Sequence, residues 1–190
     1  MKKIPAGQRR ISVFKGLTAA MACALLFGCD EKKDELSDNH SPYLPNGSFE
    51  EGGDGWDWPD KAKVAVVKSS ARTGIASLQI STAAPNSARV DGPRFPVTPG
   101  NAYRVGLWVR TVHPGPATFE FRFYTINNDP VKAEKSAPVA FPAQPGSWQK
   151  LQITVTAPPD SYTGAIFITA GSAESEFLID DATVEEMGKS

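Results

Sequence analysis

The sequence has few of the side chains from which most enzyme active sites are built. Its 190 residues include two cysteines and two histidines, His40 and His113. Neither histidine stands in a context that suits a nucleophile's base or a metal ligand. Adjacent carboxylates such as Glu50 and Glu51 would point to opposite faces of a strand, so they do not form an acid–base couple. No glycine-rich phosphate loop follows a strand. We therefore predict that the protein is not an enzyme.

Helical periodicity is also lacking. No window carries an apolar stripe with a spacing of three to four residues over the length of a helix. Instead, 16 prolines and 16 glycines lie between short runs of residues, many of which alternate between apolar and polar. This pattern predicts an all-β protein of eight to ten short strands, folded as a two-sheet β-sandwich.

The N-terminal segment combines a basic start with a short apolar run, Gly16 to Gly28. This run is shorter than the ~20 residues of a membrane span, so residues 1–28 are predicted to be a secretion signal. The run ends in Leu26-Phe27-Gly28-Cys29, which resembles a bacterial lipobox and implies a lipid on Cys29. An ordinary signal peptide with an incidental cysteine is the alternative. Asp30 resembles the aspartate that retains some lipoproteins in the inner membrane.

Charge and polarity divide the remaining chain. Residues 29–42 contain almost no apolar side chain and are predicted to be a flexible tether, followed by a folded domain over 43–186 and a short tail, 187–190. Removal of the signal takes away five of the 20 Lys and Arg and no acidic residue, so the mature charge is 15 minus 21, or −6. This charge argues against a nucleic-acid partner. No disulfide is expected within the mature chain.

The clearest strand signals lie between Asn101 and Ile126. Tyr103, Val105, Leu107 and Val109 alternate with polar residues, and Phe119, Phe121 and Phe123 do so after the turn that contains Pro114 and Pro116. We predict that the two runs form an antiparallel pair, with the phenylalanines in the core. A second sheet must cover that apolar face, because a lone hairpin is only marginally stable.

Three further stretches carry a family resemblance. They are Asn46-Gly47-Ser48-Phe49-Glu50 with Trp56 following, Thr73-Gly74-Ile75-Ala76-Ser77-Leu78, and Leu178-Ile179-Asp180-Asp181. In this order they resemble the jelly-roll carbohydrate-binding modules of the galactose-binding-like superfamily, which includes families 4, 9 and 22. The resemblance spans Tyr43 to Glu186 and implies a sandwich that binds glycan without catalysis. It also implies that Trp56 is buried.

The resemblance further implies a structural calcium ion near the meeting of the first and last strands, with Glu50 and Asp180 as ligands. If Leu178, Ala182 and Val184 face inward, Asp180 lies on the same side, where an unmatched charge is costly. Carbonyls of the turn at 71–74 would complete the oxygen shell that calcium prefers. Alternatively, Asp180 accepts backbone N–H bonds or pairs with an arginine, and Glu50 is simply exposed.

A ligand surface is predicted on the outward side of the central pair. Sugars present flat C–H faces edged with hydroxyls, so a binder needs aromatic planes beside charged hydrogen-bonding groups. Arg89 and Asp91 would border this surface. The alternative is that loops cover the outward side of the sheet and that Trp108 belongs to a second small core. The predicted ligand-binding residues are Arg104, Trp108, Arg110, Glu120, Arg122 and Tyr124.

The sequence thus predicts a glycan-binding lipoprotein of the bacterial cell envelope. Its expected partners are a polysaccharide and, through the lipid anchor, a membrane. The alternative is an envelope interaction or assembly module that uses the same fold to bind a protein.

Overall fold

The computed structural model describes Ser41 and residues 43–59, 63–131 and 136–189. The predicted signal, the predicted lipidation site Cys29, Asp30 and most of the predicted tether lie outside the described residues. Within the part that is described, regular structure consists of strands, and no helix is long and apolar enough to cross a membrane. The all-β prediction is confirmed.

The described residues form ten strands in two antiparallel sheets. The first sheet has the order β1-β2-β10-β5-β8, and the second has β3-β9-β6-β7, with β4 also paired to β9. In chain order the strands are β1 (Val64–Val67), β2 (Ser77–Thr82), β3 (Ala88–Asp91), β4 (Phe95–Pro96), β5 (Asn101–His113), β6 (Ala117–Tyr124), β7 (Val139–Ala140), β8 (Gln149–Thr156), β9 (Thr163–Ala170) and β10 (Ser175–Lys189).

The predicted pairing of the two central runs is wrong, although both are strands. β5 pairs with β8 and β10 in the first sheet, whereas β6 pairs with β7 and β9 in the second. The turn after His113 therefore crosses from one sheet to the other. The alternation of apolar and polar residues indicates which side chains are buried. The same side chains are buried whether the two strands form a hairpin or belong to two stacked sheets, so alternation does not distinguish these arrangements.

The core lies between the sheets and contains the predicted apolar faces. Phe119 and Phe121 of β6 are fully buried, as are Val105 and Leu107 of β5. Phe121 lies 5.7 Å from Phe95, measured between ring centroids, a separation that suits attractive aromatic packing. Trp56 is buried, as the resemblance implied, and so is Trp58.

The start of the domain is fastened to its last strand. Ser41 Oγ donates to the carbonyl of Val184 and accepts from its N–H at 3.2 Å. Tyr43 Oη donates to Glu186 Oε2 at 2.6 Å. This bond lowers the pKa of the Glu186 carboxyl and raises the pKa of the Tyr43 phenol, because it stabilises the carboxylate and the neutral phenol together.

Replacement of Phe121 by alanine should lower the free energy of unfolding by about 3–5 kcal/mol, because it leaves a cavity between the sheets. Urea denaturation followed by tryptophan fluorescence measures this change. Ile126→Ala is the matched control: that side chain is 74% exposed, so its truncation should change stability by about 0.5 kcal/mol at most. Equal effects of the two substitutions would contradict the position assigned to Phe121.

Candidate functional site

The predicted ligand surface is divided between two opposite faces. Because β5 and β6 belong to different sheets, their outward side chains point away from each other. The prediction that they lie on adjacent strands is therefore wrong. The outer face of the first sheet carries Arg104, Trp108 and Arg110, and the outer face of the second sheet carries Glu120, Arg122 and Tyr124.

On the first sheet, the indole of Trp108 is half-buried and covered by another side chain. The guanidinium carbon of Arg72 lies 3.8 Å from the ring centroid. That guanidinium is held in turn by Asp181, with Nη1 at 2.6 Å from Oδ2. Arg104 is engaged with Glu185 at 3.0 Å. The plane that a sugar would need is therefore occupied, which favours the alternative of a small outer cluster around Trp108.

On the second sheet, three strands bring a denser polar set together. Register places Asp91 of β3, Phe167 of β9 and Glu120 of β6 in one row across the outer face. Phe167 was missed in the sequence because β9 is apolar at almost every position, so alternation does not reveal its outward side chains. Its register against Glu120 is the signal that finds it.

Arginines cover the aromatic rings of this face. The guanidinium carbons of Arg122 and Arg89 lie 3.7 Å and 4.5 Å from the centroid of Phe167. Arg94, which precedes β4, lies 3.7 Å from the centroid of Tyr124. At these distances each cation is attracted to the ring face. We call this surface the arginine face and define it by Arg89, Asp91, Arg94, Glu120, Arg122, Tyr124 and Phe167.

Two of the arginines are also ion-paired along their own strands. Arg89 Nε donates to Asp91 Oδ1 at 2.7 Å, and a second bond joins Nη2 to Oδ2. This bidentate hydrogen bond raises the pKa of the Arg89 guanidinium, so its charge is permanent. Arg122 pairs with Glu120, two residues away on β6, through Nε and Nη2, which both contact Oε1. The pairs fix the orientation of both guanidinium groups.

The predicted metal ligands lie elsewhere, around the turn that precedes β2. The prediction that Asp180 shares one inward side of β10 with Leu178, Ala182 and Val184 is wrong. A bulge between Asp180 and Thr183 shifts the alternation of β10, and Asp181 adopts a φ of 46°. Phe177 and Ile179 therefore face the core before the bulge, and Ala182 and Val184 face it after. Leu178 and Asp180 lie on the other side of the strand, away from the core cluster.

Asp180 is nevertheless completely buried, with no exposed surface. Its Oδ2 accepts from the backbone N–H groups of Arg72 at 2.7 Å and Thr73 at 3.3 Å, and its Oδ1 accepts from that of Asp181 at 2.7 Å. Burial raises the pKa of Asp180 to about 6, against these bonds, which lower it. The neighbouring cation, Arg72, pairs with Asp181 instead.

Glu50 binds the other half of the same turn. Its Oε1 accepts from the backbone N–H groups of Ile75 at 2.9 Å and Ala76 at 3.0 Å. A Cβ at Gly74 would lie 2.3 Å from that oxygen, and Gly74 has a φ of +61°, so glycine is needed there. Asp180 thus accepts backbone hydrogen bonds, which was the alternative to its binding calcium. Glu50 is exposed, as that alternative held, but it is hydrogen-bonded to the turn.

The carboxylates also fit a calcium ion in their chemistry. Glu50 and Asp180 lie far apart in the sequence, and both place carboxylate oxygens at one turn. No cationic side chain is bonded to Asp180. Among the described residues no three His, Cys, Asp or Glu side chains cluster as a metal site. The remaining calcium ligands would have to be carbonyls and water, which calcium accepts readily.

Comparison with solved structures supports the fold. A family 61 carbohydrate-binding module in complex with β-1,4-galactotriose has a TM-score of 0.56 and 20% identity, over 76% of this chain and 97% of the module. The CBM22-1 xylan-binding domain of Paenibacillus barcinonensis Xyn10C has a TM-score of 0.53 and 22% identity, over 75% and 93%. No curated protein matches the sequence.

A larger structure shares the same sandwich. The enzymatically active domain of tailspike protein 4 from bacteriophage CBA120 has a TM-score of 0.66 and 16% identity over 76% of this chain. The chain spans only 21% of that structure, so the likeness concerns one part of it.

The family model described as a carbohydrate binding domain matches residues 41–175. This range starts at the first described residue and ends where β10 begins. It therefore contains nine of the ten described strands and the whole arginine face. The match confirms the resemblance found in the sequence motifs: the chain belongs to the carbohydrate-binding domain family.

Proposed function

We propose that the protein binds a glycan without catalysis and that the arginine face is its binding site. The observation that carries this proposal is the row Asp91, Phe167 and Glu120 with two guanidinium groups fixed above the ring. Family membership supports a glycan as the class of ligand, and the arginine face brings three guanidinium groups over two aromatic rings.

The chemistry of the arginine face suits a polyhydroxylated chain. A guanidinium is flat and weakly hydrated, so a sugar ring can pack against its plane while hydroxyl oxygens accept its N–H groups. Asp91 and Glu120 can accept hydrogen bonds from hydroxyls that reach past the arginines. Because the ion pairs already hold the guanidinium groups in place, little side-chain entropy is lost when a ligand binds.

The proposal extends to location. The lipobox resemblance at Cys29 supports attachment to a membrane of the bacterial envelope, and two or three acyl chains would make that attachment durable. A protein of this kind would hold the sandwich near cell-wall or exported polysaccharide. The alternative, an interaction module for another envelope protein, would use the same exposed face with a peptide or protein ligand.

We also propose that calcium binds at the turn preceding β2, with Glu50 and Asp180 as its carboxylate ligands. The ion would supply positive charge beside a buried carboxylate that has no cationic partner bonded to it. Its contribution would be to stability: it would fasten the turn at 72–76 to both ends of the domain.

The arginine face can be tested with two substitutions, Arg89→Ala and Arg122→Ala. Each should weaken glycan binding by about 10-fold or more, because a hydrogen bond to a charged group contributes about 1.5–3 kcal/mol. The measurement is affinity electrophoresis against a panel of soluble polysaccharides, followed by calorimetry with the best ligand. Circular dichroism melting would confirm that each variant is folded.

Arg104→Ala is the matched control, since Arg104 is also an ion-paired arginine on an outer sheet face. It should bind as the parent protein does. If Arg104→Ala or Trp108→Ala abolishes binding while Arg89→Ala and Arg122→Ala do not, the site is on the first sheet. Absence of binding to every glycan, together with capture of an envelope protein that depends on these residues, would favour the interaction module.

Calcium can be tested by thermal melting in chelator and in excess CaCl₂. A ligand at 100 times its Kd stabilises by about 2.7 kcal/mol, which corresponds to a Tm increase of roughly 5–10 °C in a domain of this size. Glu50→Gln should remove most of the increase, whereas Glu185→Gln, an exposed control, should retain it. A Tm that is the same in chelator and in calcium would contradict the proposal.

A further inference from the structure

We propose that the arginine face recognises an acidic glycan, one whose sugars carry carboxylates, as a uronic-acid polysaccharide does. This inference rests on the proposed function, because it names the class of glycan for the same site. It is drawn from what a ligand would meet on this face, which is a layer of guanidinium groups and not bare aromatic rings.

The aromatic planes are covered. Phe167 is 5% exposed and Tyr124 is 4% exposed, although both point away from the core. Their faces are occupied by Arg89 and Arg122 on one ring and by Arg94 on the other, at 3.7–4.5 Å from the centroids. A neutral sugar that stacks on aromatic rings would first have to displace these cations. A carboxylate can instead bind the cations where they are.

In each ion pair the cation is the outer member. The side chain of Arg89 is 54% exposed and that of Asp91 is 23% exposed. The side chain of Arg122 is 32% exposed, whereas that of Glu120 is 8% exposed. The carboxylates are therefore less accessible to a ligand than the arginines that pair with them. The potential that an approaching anion meets is set mainly by the guanidinium groups.

The guanidinium groups of the arginine face also carry more N–H donors than the carboxylates of that face accept. A guanidinium carries five N–H donors, and Arg89 directs its Nε and Nη2 bonds at Asp91, which leaves donors free on its outer edge. Arg94 is exposed and stacked on Tyr124, with no ion pair recorded among the described residues. Two ion-paired arginines and a third without an ion pair make the site rich in N–H donors. A carboxylate can accept two of these donors from one guanidinium group in bidentate geometry.

One acidic side chain lies at the margin. Asp57 is joined to Asp91 through backbone bonds of 2.9 Å and 2.8 Å, and its charge also raises the pKa of Arg89. Asp57 is exposed, so solvent screens its charge, whereas the stacked guanidinium groups bind a ligand by direct contact. With Asp57 included, three arginines and three carboxylates give the face no net formal charge, so an acidic ligand would be bound by direct contact with the guanidinium donors.

The experiment compares one polymer with and without its carboxylates. The purified full-length protein is run in affinity gels that contain polygalacturonate, alginate or glucuronoxylan, and in gels with the same polymers after chemical reduction of their carboxyl groups. At least one parent polymer should bind about 10-fold or more tightly than its reduced form. The difference should shrink when salt is raised, because the contacts are ionic.

The variant Arg94→Gln tests the unpaired arginine. It should lower affinity for the acidic polymer by about fivefold or more, a larger loss than for the reduced polymer, because only the acidic polymer offers a carboxylate to the guanidinium group. Lys150→Gln is the control, because it removes an exposed cation from β8, at the edge of the other sheet. It should bind like the parent protein.

The outcomes separate the two proposals. Tighter binding to a neutral polymer than to any acidic one, or equal binding to parent and reduced polymers, would overturn the acidic-glycan inference and leave glycan binding intact. Binding to sulfated polymers alone would overturn the assignment of carboxylates. No binding to any glycan would overturn both.

Discussion

The structure depends on the single core that the two sheets enclose. The phenylalanines of β6 and the aliphatic residues of β5 both belong to it, although the two strands follow one another in the chain and lie in different sheets. Burial of these side chains is the main driving force available to a domain without helices in its described part. Each sheet consequently has one face free for other uses.

The outer faces of the two sheets differ in how their arginines pack on aromatic rings. On the first sheet, Arg72 stacks on Trp108 and is neutralised by Asp181, so cation, ring and carboxylate satisfy one another. On the second sheet, Arg89 and Arg122 share a single ring, and Arg94 takes another. The second face therefore gathers three guanidinium groups, and the side chains of Arg89 and Arg122 are 54% and 32% exposed, against 27% for Arg72. This difference is the physical basis for proposing that the ligand binds to the second sheet.

The sequence predicted the fold class and the buried side of both central strands, because alternation directly reports burial. It did not predict their partners, since a turn at Pro114 and Pro116 serves a hairpin or a crossing equally well. Phe167 was missed because β9 is apolar on both sides. The side of Asp180 was wrong because a bulge is a backbone event that two consecutive aspartates do not announce. Family motifs, in contrast, identified the family correctly.

The fastening of Ser41 and Tyr43 to β10 has a mechanical consequence. If the chain before Ser41 is anchored, a pull on it reaches the bonds to Val184 and Glu186 before it reaches the core. The bond from Tyr43 lowers the pKa of the Glu186 carboxyl, so the charged form of this bond persists to lower pH than it would with an isolated glutamate. Load would then pass into β10, the longest strand of the first sheet, and not directly into the sheet that carries the arginine face.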